Sequence, residues 1–227
     1  IVIAIILICQ YNKLMYNISG IMFVMNLKKL KKLESEFLGR HPEGFKSKEF
    51  IKTMKKHNVS KHTIYLNEVL TEEHLGKGHI VFKDVAKVVL SSSLVSVFEK
   101  MRFRDFAADL TKAEKTRFVK GVSELLYGHE KSGFYMVYTL LNEHRLAKWP
   151  IITVFRVYAF PKKDVLMKPT VVKKVIAHLD LDLKYDSDPS YTLYRKYRTE
   201  INKMKKEVAL SLRPNNLAFT GFLMMTI

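Results

Sequence analysis

Cysteine is almost missing from this chain. Its one occurrence, Cys9, excludes an internal disulfide and a cysteine-built zinc site, and a reducing, cytoplasmic setting is the natural expectation. Glycine and proline are scarce too: nine Gly and six Pro in 227 residues leave few tight turns, which favours helices over a many-stranded β fold. No apolar run reaches membrane length. The longest at the start, Ile1 to Cys9, is nine residues, against the roughly 20 that a spanning helix needs. Signature motifs are absent as well: there is no Gly-x-Gly-x-x-Gly, no P-loop and no Gly-x-Ser-x-Gly elbow. His57 and His62, like His74 and His79, stand five apart, a poor spacing for two ligands on one helix, so no metal and no cofactor is implied.

What is abundant is positive charge. The formal net charge is +17, from 39 basic and 22 acidic residues, and only 9 of the basic residues are Arg. One reading is an electrostatic footprint for nucleic acid or another anionic surface. The other is a lysine-rich surface that reflects coding bias, since phosphate recognition commonly enlists Arg. At 48% hydrophobic and 27% charged residues the balance is that of a globular protein with a sizeable core.

Periodicity gives a mainly α fold, a compact multi-helix domain. Residues 1–24, with their apolar run and the basic-free start at Ile1, read as an upstream extension or leader, a truncated anchor being the rival. Met25 opens a plausible soluble start. Residues 25–75 form an N-terminal helical lobe and 79–227 the main helical domain, with Gly76 and Gly78 between them. Leu27, Leu30, Leu33 and Phe37 recur at helical spacing, with Lys28, Lys29, Lys31 and Lys32 on the polar side. Thr111 and Glu114 make a capping box for a helix that ends near Gly128. Ile151 to Phe160 is rich enough in β-branched and aromatic residues to be a strand; Pro150 at a first turn and the lack of partner strands favour a helix.

The stretch from Trp149 to Thr170 is the most informative passage, because a dense apolar run closes on the Met167-Lys168-Pro169-Thr170 step and so marks a shaped site at the edge of a core. Nearby in composition is Glu99 to Asp105. On a helix Glu99, Arg102 and Asp105 fall at three-residue spacing, and with Lys168 they would make a carboxylate–cation site for a phosphate. Glu99, Asp105 and Lys168 are accordingly the catalytic candidates, and a buried ion-pair network is the plainer alternative. A second constellation is Tyr191 to Arg198. Tyr191, Tyr194 and Arg198 share a helical face with Arg195 beside them, so aromatics could stack bases while cations neutralise phosphates; tyrosines packed on the core with solvated cations would look the same.

The passages Phe98 to Asp105, Leu126-Tyr127-Gly128, Trp149-Pro150, Thr153-Val154, Met167 to Thr170, and Asp182-Leu183 with Tyr185, Tyr191 and Tyr194 follow one another in an order that resembles an uncharacterised family of bacterial proteins. The resemblance covers most of the chain after about residue 50. It implies a bacterial, soluble, helical protein and no reaction. The expected function is binding of nucleic acid or another polyanion, with Tyr191, Tyr194, Arg195 and Arg198 as contacts and Lys168, Arg102 and Arg104 as a second anchor. The alternatives are an enzyme acting on a phosphorylated or nucleotidic substrate, and a protein-interaction module using the outer side of Trp149 to Phe160.

Overall fold

A computed structural model describes residues 26–56 and 58–227; the leader expected over 1–24, Cys9, the Met25 start and His57 lie outside them. The described residues form helices and no strand. In chain order these are α1 (Leu27–Arg40), α2 (Lys48–Lys56), α3 (Val59–Glu68), α4 (Glu72–Leu75), α5 (Phe82–Ser91) and α6 (Val97–Asp109). Then follow α7 (Lys112–Leu126), α8 (Glu130–Glu143), α9 (Trp149–Ala159), α10 (Pro169–His178), α11 (Tyr191–Lys206) and α12 (Asn216–Thr226). Three single 3-10 turns, Gly44–Lys46, Gly78–Val81 and Leu210–Leu212, join them.

The architecture is organised around α9. It is apolar on every side, and nine of its eleven residues are buried, the pattern of a helix enclosed by others. Its β-branched residues are helical here because Pro150 presets the first turn and burial on every side overrides strand propensity, while the buried Thr153 hydroxyl is satisfied by the Trp149 carbonyl, 2.8 Å away. Helices α3, α5, α7 and α8 pack around it. Thr63 of α3 donates to the Tyr158 carbonyl at 2.8 Å, and the buried His62 ring stacks on Tyr158 at 4.3 Å.

Residues from the 25–75 segment share this core. Leu30, Leu33 and Phe37 of α1 are buried, and Phe37 meets Phe222 of α12 edge-on at 5.3 Å. The lysines of α1 are partly engaged: Lys29 pairs with Asp180, Lys31 with Glu34 and Lys32 with Glu36. Helices α3 and α4 are separate because Thr71 starts a new turn by capping the His74 N–H.

After α9 the chain reverses. Asp164 N–H closes on the Phe160 carbonyl at 2.8 Å, and residues 165–168 run back along the helix, with Met167 N–H donating to Thr153 Oγ1 at 3.1 Å. Lys168 and Pro169 thereby return to the level of Lys148 and Pro150. This reversal builds the site.

Candidate functional site

The reversal after α9 creates two polar features. One is closed. Asp164, 1% exposed, lies under α9 and α11 and accepts from Arg156 at 2.9 Å, from the Tyr194 hydroxyl at 2.7 Å and from Arg198. Glu130, at the start of α8, completes the square, 2.7 Å from Arg198 and 3.4 Å from Arg156. Two guanidinium groups face two carboxylates, so the cluster is neutral. Burial first, and then the charge of Asp164, push the Tyr194 phenol well above its ordinary range, which keeps it protonated as a donor.

This placement answers the tyrosine–arginine expectation. Tyr194 is buried against Phe134, and Arg198 is held by Asp164 and Glu130, so neither side chain faces solvent as a stacking or phosphate contact. Tyr191 is half-buried and packs edge-on to Phe134 at 5.8 Å. Only Arg195 is exposed, in a depression of about 330 Å³ that it shares with Lys196, Asp180, Asp182 and Glu200. Mixed charge there gives no polyanion preference.

The other feature is open: a groove of about 390 Å³ at the starts of α6, α9 and α10. Arg102, Lys148 and Lys168 line it, with Phe98, Pro150 and Pro169 supplying much of its apolar wall. Phe98 is 80% exposed. Arg102 donates to the Arg145 carbonyl at 2.9 Å, which fixes its guanidinium at the wall. Lys148 and Lys168 are the N-cap residues of α9 and α10, and neither provides a side-chain acceptor for the first-turn N–H groups.

Glu99 is the one carboxylate of this groove, and it is spoken for. Its Oε2 accepts from the Ser96 N–H at 2.9 Å while the Ser96 Oγ accepts from the Glu99 N–H at 3.2 Å, the two halves of a capping box on α6, and the Ser96 hydroxyl also donates to Oε2 at 2.7 Å. Asp105 lies outside the groove, exposed and 3.7 Å from Arg104, so the expected Glu99–Arg102–Asp105 ladder does not form. Arg104 lines a neighbouring shallow depression with Lys100 and Met101. Of the expected anchor, Arg102 and Lys168 are thus brought together and Arg104 stands apart.

Sequence reasoning gave no binding role to Phe98, at the head of the Phe98 to Asp105 passage, or to Lys148, just before Trp149, and none to Asp164, Arg156 and Glu130. For the last group a signal existed. Arg156 is the only charge between Trp149 and Phe160, and a lone charge in an all-round apolar helix requires a buried partner. Among the described residues no cluster of three or more His, Cys, Asp or Glu side chains is placed to hold a metal. No family model, curated protein or solved structure matches the chain.

Proposed function

We propose that the chain binds single-stranded nucleic acid through the groove between α6, α9 and α10. The observation that carries this reading is the meeting of an open aromatic face, Phe98, with three cations, Arg102, Lys148 and Lys168, where the only carboxylate is tied into a helix cap. None of the three cations is in an ion pair with another described residue. Phosphates would lie against the three cations. A base would stack on Phe98, a contact that tolerates any sequence. The net charge of +17 adds a long-range attraction to the encounter.

The test is a salt titration of the full chain with labelled poly-U RNA and poly-dT DNA. Lys148→Gln with Lys168→Gln removes two phosphate contacts, and the slope of log affinity against log salt should fall by about 0.7 per contact. Phe98→Ala should weaken binding by about 1–3 kcal/mol with the slope unchanged. Equal slopes and equal affinities in all three proteins would place the binding elsewhere, and Arg195 would be substituted next.

A further inference from the structure

On the other side of the Ser91–Ser93 turn, α5, α6 and the start of α7 enclose a wider groove of about 880 Å³. Its floor is aliphatic, with Ala86, Leu90, Ala107 and Ala108, and Ile80 stands at its rim 73% exposed. Lys83 and Lys87, one turn apart on α5, form one wall, and Lys112 and Lys115 in the first turn of α7 form the other. Two of these lysines are steadied by rings: Lys87 lies 4.8 Å from the Tyr65 ring centre and Lys115 5.7 Å from that of Phe82. No carboxylate lines the groove.

We infer that this groove docks an amphipathic helix of a partner protein whose apolar stripe is flanked by Asp and Glu. The occupant follows from shape and charge. The groove is concave between helices, so it accepts a convex cylinder, whereas a flat bilayer would need the apolar residues to protrude together. Its floor is aliphatic, and of the two rings that line the groove Phe82 is buried and His79 is exposed beside Ile80, so the floor suits leucine-type anchors better than bases. There is no strand edge among the described residues for an extended peptide to join. The two lysine walls complement acidic positions on either side of an apolar stripe and oppose basic ones. Small residues at Ala86, Ala107 and Ala108 let the incoming backbone come close.

The inference does not depend on the nucleic-acid groove, since Arg102, Lys148, Lys168 and Phe98 do not line this one. Panning the full chain against a displayed library of helical peptides tests it directly. The selected peptides should carry acidic residues beside apolar anchors at i, i+4 and i+7. Their affinity should drop about tenfold or more on Lys83→Glu with Lys87→Glu, and also on Ala108→Trp, which fills the floor. Lys148→Gln with Lys168→Gln should leave it unchanged. Three results overturn the inference: no peptide selected, selected peptides without acidic enrichment, or affinity indifferent to both groove variants. A fourth does so in favour of a lipid surface: tighter binding to vesicles of equal parts phosphatidylcholine and phosphatidylserine than to any selected peptide, lost in the same groove variants.

Discussion

Asp164 receives three donors on two oxygens: Arg156 on Oδ2, and Tyr194 and Arg198 on Oδ1. Asp164→Asn keeps the shape and removes the charge, which leaves two guanidinium groups, 13% and 17% exposed, facing Glu130 alone. Removing one partner of a buried ion pair costs about 3–5 kcal/mol, so the variant should lose that much in chemical denaturation. A loss under about 1 kcal/mol, the value of an exposed pair, would mean that water reaches the cluster. The same residues mark the limit of what could be read from the sequence. Spacing puts Tyr194 and Arg198 on one helical face; whether that face turns inward depends on Asp164, 30 residues before Tyr194 in the chain. Glu99 is the opposite case. Its role was legible, because Ser96-x-x-Glu99 has the same capping-box spacing as Thr111-x-x-Glu114.

At the scale of the element, most helices were legible because periodicity, caps and prolines agree. Capping at Thr111 and Pro150 at the first turn of α9 both appear where expected. Closeness of approach was not legible, because it belongs to pairs of elements. Helices α7 and α8 cross at Gly133, where an added Cβ would lie 2.1 Å from the backbone nitrogen of Leu125. No rotamer relieves a clash with backbone, so Gly133→Ala must push the helices apart. Its expected cost is about 3 kcal/mol, the upper part of the usual range for overpacking. Gly221, inside α12, is the control: nothing lies within 4 Å of its Cβ position. Gly221→Ala should therefore stabilise by about 0.5–1 kcal/mol through helix propensity and lost unfolded-state freedom. Thermal melts of the two variants should move in opposite directions, and a shared direction would contradict the crossing at Gly133.

For the molecule as a whole, the surplus of positive charge among the described residues is a surface property, since the buried cluster pairs Arg156 and Arg198 with Glu130 and Asp164. Composition announced that surplus but not its arrangement into two cation-lined grooves on either side of one serine turn. That arrangement depends on which helices become neighbours. Self-repulsion grows as pH falls, and His62 is where added charge would enter the core. Its ring is 7% exposed and stacked on Tyr158. Burial is the main force holding its pKa below the ordinary 6.5, helped by Lys61 and Lys100 and opposed by a hydrogen bond with the Ser91 backbone. With the folded value depressed, the unfolded chain binds the proton more tightly. The contribution is then fully present above 6.5 and is lost as pH falls from there toward the folded value. His62→Phe keeps a ring on Tyr158 and removes the titration. The difference in unfolding free energy between wild type and His62→Phe should be constant above pH 7 and move against the wild type below about 6.5. A difference that stays flat down to pH 5 would mean that the imidazole takes up its proton in the folded state as readily as in the unfolded one.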